Sequence, residues 1–385
     1  MSPQVYDAIV IGAGSVGLPT AMCLAEAGLK PLVIDQFASA GQGSNKCAIG
    51  GIRATHSSPA KIRLCLDSIR VFSNWKAAHG DEIEWFQGGY AFVAYREQEE
   101  RSLRDLLKIQ QSYGLNIRWL DRDEMIALVP DINREGLRGG TYSPEDGSAS
   151  PMMSAAAFHR RAAELGVQFR FGERVTGIIQ RKNGVVGVRT DKGGYATETV
   201  VNAAGAWARP LAQSVGLDTP VVPDSHEAGI TEPVARFLRP MLVDIRPTPG
   251  ARNYYFYQHK PGGLVFCITP DPAVVGTDRR ETSAYLPMIA GRMVDLVPKV
   301  ANVKVRRTWR GLYPMTPDGA PVLGWSKTVE GYVHAEGMCG QGFMLGPGVG
   351  AVLGRTIVGS ATDADKEILE ELKPTREFRG DEALK

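Results

Sequence analysis

Gly12-Ala-Gly14-Ser-Val-Gly17 has the spacing of a phosphate cradle. Gly12 permits a tight turn, Gly14 lets a pyrophosphate approach the backbone, and Gly17 lets a helix pack close to a strand. Phosphates at such a turn meet the free N–H groups and the positive end of the helix dipole. Asp35 follows after about 20 residues, where an acid accepts hydrogen bonds from ribose hydroxyls. An aspartate there, instead of an arginine, argues against a 2′-phosphate on the ribose. The chemistry indicated is dinucleotide binding, with NAD and FAD both open at this point.

The cradle needs a strand, a helix and a second strand around it. Residues 6–11 read as a buried strand, 15–27 as a helix stopped at Gly28, and Pro31–Asp35 as the second strand. A glycine-rich loop spans 41–51, and 59–76 has the apolar spacing of a helix. Residues 83–95 are β-like and aromatic, 97–113 form a charged helix, and 154–165 another helix. Segments 167–171, 175–181, 185–190 and 197–201 alternate as strands, with turns at Asn183-Gly184 and Gly193-Gly194, and predict an antiparallel meander. Residues 220–276 suit a second sheet, the glycine-rich block 337–354 leads into a last helix, and 366–385 is a mostly charged tail.

A chain of 385 residues exceeds what one core organises, so two domains are expected. A formal net charge of +2 is too small for a nucleic-acid partner, and none is expected. The five cysteines lack CxxC spacing, which predicts free thiols and no metal site. With no leader recognisable, these thiols point to the cytoplasm; a peripheral membrane contact stays compatible with the sequence.

Three further segments narrow the cofactor. They are Ser44-Asn-Lys-Cys-Ala-Ile-Gly-Gly-Ile-Arg53, Val200-Val-Asn-Ala-Ala-Gly-Ala-Trp-Ala208, and Arg310 through Gly324 followed by Gly337-Met-Cys-Gly-Gln-Gly-Phe-Met-Leu-Gly346. Together with the fingerprint, the chain resembles the D-amino-acid oxidase superfamily of FAD-dependent oxidoreductases, on the branch of sarcosine oxidase, glycine oxidase and dye-linked proline dehydrogenase. The resemblance implies a mixed α/β fold, in which a Rossmann-type FAD-binding domain is interrupted by a substrate domain with an antiparallel sheet. Residues 1–82, 145–216 and 306–385 would form the first, and 83–144 and 217–305 the second.

The implied activity is oxidation, to an imine, of the carbon next to the amine of a small amino acid or secondary amine. The implied FAD site comprises Gly12, Gly14, Ser15, Val16 and Gly17; Asp35 and Gln36; Ser44, Gly51 and Ile52; Val175; Ala204, Gly205 and Trp207; Gly311; and Gly340, Gln341, Gly342, Phe343 and Met344. Arg53 stands where a family arginine takes the substrate carboxylate. Tyr255 and Tyr257 match an aromatic substrate cover, His259 is a candidate base or donor, and Arg310 and Tyr313 are expected beside the flavin.

Departures qualify the resemblance. Gly311 replaces the cysteine that bonds to flavin in monomeric sarcosine oxidase, which implies non-covalent FAD. Val265 replaces a lysine used for oxygen activation, and Met344 a second carboxylate-binding lysine, so a dehydrogenase using a quinone, dye or partner subunit competes with an oxidase. Several relatives are subunits, so a homo- or hetero-oligomer and an assembly or electron-relay role stay open.

Overall fold

The first strand, Ala8–Ile11, runs parallel to Pro31–Asp35, and the helix Gly17–Glu26 crosses between them. The structure, a computed structural model, describes residues 5–182, 184–380 and 382–384. The βαβ unit seeds a six-stranded sheet in the order Val322–Trp325, Tyr332–Glu336, Val200–Asn202, Ala8–Ile11, Pro31–Asp35, Gln168–Phe171. Parallel strands are buried on both faces, and their sequence shows it. Ala8, Val10, Val33, Val201 and Val333 face the helices Gly17–Glu26, Pro59–His79, Pro151–Glu164 and Gly342–Ile357. Ile9, Ile11, Leu32, Ile34, Val200 and Tyr332 face a three-stranded sheet.

That small sheet is the antiparallel meander, but it is shorter than the sequence suggests. It holds only Val175–Arg181, Gly184–Thr190 and Gly194–Ala196. Gln168–Phe171 and Val200–Asn202 leave it to pair in parallel with Pro31–Asp35 and Ala8–Ile11. The alternation that marks a strand carries no information about a partner more than a hundred residues away. Asn183, in the expected turn, lies outside the described residues.

Serine and proline set two helix starts. Ser58 accepts a hydrogen bond from Lys61 N, with Pro59 in the first turn, and Gly80 closes the helix at φ 79°. Ser150 and Pro151 do the same for Pro151–Glu164, which therefore begins earlier than the apolar pattern from 154 indicates.

A separate eight-stranded sheet has the order Val305–Met315, Val222–Pro233, Gly263–Pro270, Ala251–Gln258, Met241–Asp244, Tyr90–Ala94, Gly139–Ser143, Arg118–Asp121. It is antiparallel except where Met241–Asp244 meets Tyr90–Ala94. The helix Tyr285–Leu296, unexpected from sequence, packs Ile289, Met293 and Leu296 under Phe256, Leu264 and Phe266. The edge strand Val305–Met315 crosses the domain boundary expected at 306 and pairs along Val222–Pro233. The division into two folding units at the boundaries given above is a proposal, with this strand as their shared edge.

Candidate active site

A cavity of about 830 Å³ runs between the two large sheets. At one end lies the glycine turn. Gly12 has φ 108°, and a Cβ there would fall 2.5 Å from the Ala203 carbonyl oxygen. A Cβ on Gly17 would fall 1.8 Å from the Gly12 carbonyl oxygen. Gly14, by contrast, has nothing within 4 Å of a Cβ position, which leaves the open approach a pyrophosphate needs. Among the described residues no side chain caps the helix Gly17–Glu26; Leu18 N donates to Gly14 O and Pro19 has no N–H, which leaves the N–H groups ahead of them to an anion. Asp35 accepts from Ala13 N at 2.7 Å and Phe37 N at 2.8 Å, and each oxygen keeps a lone pair for a hydroxyl. Burial pushes its carboxyl above the usual range, while those two N–H groups pull it down.

Gly12, Gly14, Ser15, Val16, Asp35, Gln36, Ser44, Gly51, Val175, Ala204, Gly205 and Trp207 all line this cavity. So do Gly311, Gly340, Gln341, Gly342, Phe343 and Met344. Gly17 and Ile52 do not: Gly17 packs against the turn, and Ile52 is a core residue. Gly340 abuts Tyr313, where a Cβ would come within 2.1 Å of the ring. The buried Gln341 Oε1 has no hydrogen-bond partner among the described residues. An orphaned acceptor, an open glycine and an uncapped helix in one elongated cavity fit FAD.

At the other end, Arg53, Tyr255 and Tyr313 come together. Arg53 is only 7% exposed and its Cζ lies 5.5 Å from the Phe92 ring centre. Its Nη1 donates to Thr55 O and its Nη2 to Leu384 O, both neutral carbonyls. His56 Nδ1 lies 3.3 Å away, and burial with the Arg53 and Lys61 charges holds that ring's pKa well down. Tyr255 and Tyr313 share a hydrogen bond at 3.2 Å, and burial raises both phenols.

Two residues missed from sequence complete this end. His226 stacks on Tyr313 at 3.8 Å between ring centres, and its Nε2 lies 3.4 Å from Asp224 Oδ1. Both line the cavity, each 6% exposed, and His226 Nδ1 has no hydrogen-bond partner among the described residues. Asp224 and His226 alternate on one strand beside Tyr313 and Gly311, which are their partners in register. The alternation shows that the two share a face, but not that Tyr313 lies beside it.

The structure does not bring Tyr257 and His259 into this cavity. They line a smaller one of about 140 Å³, with Val265, Lys260 and Trp309, on the far side of Ala48 and Ile49. Tyr257 donates to Ile49 O, and His259 closes a turn through Gly263 O at 2.7 Å. Arg310 points away too, donating to Arg280 O at 2.9 Å, because strand alternation turns it opposite to Gly311. At Gly311 the neighbour is Cys47, whose Cβ would lie 2.7 Å from a Cβ there. Burial raises the Cys47 thiol pKa, although Lys46, Arg279 and Arg307 lower it.

A nucleotide cradle of this kind joined to an antiparallel sheet defines a flavin-dependent oxidoreductase. Residues 7–356 match the family model described as FAD dependent oxidoreductase, and the chain belongs to that family, with FAD as its cofactor. It is 29% identical over 298 residues to the hydrogen cyanide synthase subunit HcnC of Pseudomonas protegens, covering 77% of this chain and 69% of that protein. It is 26% identical over 376 residues to the mitochondrial sarcosine dehydrogenase of Mus musculus, covering 94% of this chain and 41% of that protein. The structure of L-proline dehydrogenase from P. horikoshii superposes with a TM-score of 0.89 at 29% identity, covering 97% of this chain and 98% of that one.

Proposed function

We propose that this enzyme oxidises the carbon bearing the amine of a small amino acid or N-substituted amino acid, giving the imine, with FAD held non-covalently. The observation that carries the reading is Arg53. A buried guanidinium is costly unless an anion meets it, and Arg53 lines the cavity with no carboxylate within ion-pair distance among the described residues. A substrate carboxylate supplies that anion through a charge-assisted pair. The names of the sarcosine and proline dehydrogenases above point to the same substrate class.

Bound FAD takes up the two electrons that leave the substrate carbon. The chain's own groups hold the substrate. Arg53 fixes the carboxylate, and the Tyr255 and Tyr313 phenols, kept protonated by burial, donate hydrogen bonds and exclude water. His226 Nδ1, with no hydrogen-bond partner among the described residues, would meet the substrate amine, and Asp224 Oδ1 lies 3.4 Å from Nε2 of the same ring. Arg53→Met is expected to raise KM for an amino-acid substrate at least about tenfold, the worth of one charge-assisted bond, with the flavin spectrum unchanged. Equal KM, or efficient use of amines lacking a carboxylate, counts against the reading.

The likeness to HcnC supports a second reading, in which the chain is a subunit of a larger assembly and its FAD passes electrons to a partner. Anaerobic mixing with amino acids separates the two. Bleaching of the isolated chain's flavin supports the first reading, and a flavin that stays oxidised until a partner is added supports the second. The acceptor, whether quinone, dye, partner or oxygen, and a cytoplasmic location are part of the same proposal. No helix among the described residues is long and apolar enough to cross a membrane.

A further inference from the structure

Arg53 is held from a distant part of the chain. Its Nη2 donates to the carbonyl of Leu384, 331 positions away in sequence. Leu384 is 3% exposed, and its side chain packs among Tyr90, Phe92 and Val243, three walls of the substrate end. Glu382 anchors the same segment. It forms an ion pair with Lys61 at 3.0 Å in which the two side chains are 2% and 0% exposed. Its Oε1 accepts from both N and Oγ of Ser57 at 2.7 Å, and Ser57 Oγ in turn accepts from Ala383 N at 3.2 Å.

We infer that the Glu382–Leu384 segment is a positioning strap for Arg53, setting the direction of its guanidinium and hence the affinity of the substrate end for carboxylates. The inference rests on the reading of Arg53 given above. Three features carry it. The strap meets Arg53 through a neutral carbonyl, so it fixes the head group without neutralising it. The strap's own carboxylate is spent on Lys61 and Ser57, so Glu382 does not compete for Arg53. The anchor is a fully desolvated ion pair, which holds one geometry or is lost altogether. Thr55 O restrains Nη1 as Leu384 O restrains Nη2, and the guanidinium has N–H groups left for a ligand.

The test uses the full, FAD-loaded chain and acetate as the probe, with binding read from perturbation of the flavin absorption. Leu384→Gly removes the plug that seats the strap and is expected to weaken acetate at least about tenfold, with the unliganded flavin spectrum unchanged. Ser57→Ala loosens the strap while keeping the buried ion pair, and is expected to weaken acetate about threefold; it serves if Leu384→Gly does not fold. In an Arg53→Met background neither change is expected to weaken acetate further. An unchanged acetate affinity in both strap variants, or an equal loss in the Arg53→Met background, overturns the strap while leaving Arg53 its role. Acetate binding unaffected by Arg53→Met alone overturns the role of Arg53 and the strap with it.

Discussion

Asp146 is fully buried, and its carboxylate takes Ala54 N and the Thr55 hydroxyl, each at 3.1 Å, on the two residues after Arg53. Burial pushes its pKa up to about 7, against the pull of those bonds and of the Arg53 charge. Below that pH Asp146 is neutral and leaves the Arg53 field to a ligand; above it the anion competes. Carboxylate probes should therefore bind more weakly as pH rises through about 7. In Asp146→Asn that inflection should vanish, which a pH series of acetate titrations reads directly. A second prediction concerns oxygen. Val265 lies outside the large cavity and Met344 within it carries no charge, while a bound carboxylate neutralises Arg53, so a superoxide-like charge finds little support. Substrate-reduced enzyme should reoxidise slowly in air-saturated buffer and quickly with a dye or quinone; fast formation of stoichiometric peroxide refutes this. At this scale the glycine turn was readable because it answers a local demand, and Asp35 by its distance from that turn, whereas Arg53 was picked out only by the family resemblance. Asp224 and His226 were not, because what brings them to Tyr313 is a strand pairing, and a histidine within a strand carries no mark of its neighbour.

The glycine-rich helix Gly342–Ile357 shows what its small residues do. A Cβ on Gly346 would lie 1.9 Å from the Ser15 carbonyl oxygen, on the turn that opens the first helix. Gly346→Ala must push backbone from backbone, and overpacking of this kind costs about 1–3 kcal/mol. It should lower the melting temperature and weaken FAD together, since the displaced turn is part of the cradle. Gly291→Ala is the control: it sits exposed in the helix Tyr285–Leu296 with nothing within 4 Å, and should stabilise by about 0.5–1 kcal/mol. A melting curve that ranks the two the other way round contradicts the packing argument. Elements were legible where period and punctuation agree, as in the opening βαβ unit and the helix that starts at Pro59. They were misplaced where pairing is remote, as for Gln168–Phe171 and Val200–Asn202. The helix Tyr285–Leu296 was not legible because Pro287 and Gly291 interrupt its helical pattern.

Across the whole molecule, the cavity draws its walls from both large sheets, so bound FAD ties them together. A ligand at about a hundred times its dissociation constant adds about 2.7 kcal/mol to stability, and stripping FAD should lower the melting temperature accordingly. Acid or heat should release all the flavin into solution, because position 311 lacks a thiol and burial disfavours the Cys47 thiolate. Colour kept by the precipitate, and lost in Cys47→Ser, would reveal a covalent bond instead. The packing of Gly346 on Ser15 also bears on the order of events during synthesis. Ser15 and Gly346 stand on two sides of the nucleotide site and far apart in sequence, so one side is translated long before the other. Between them the N-terminal strand must wait, unpaired on one side, until Val200–Asn202 arrives. Until Gly346 docks on the turn at Ser15 the nucleotide site lacks a wall, and FAD has no complete site to enter.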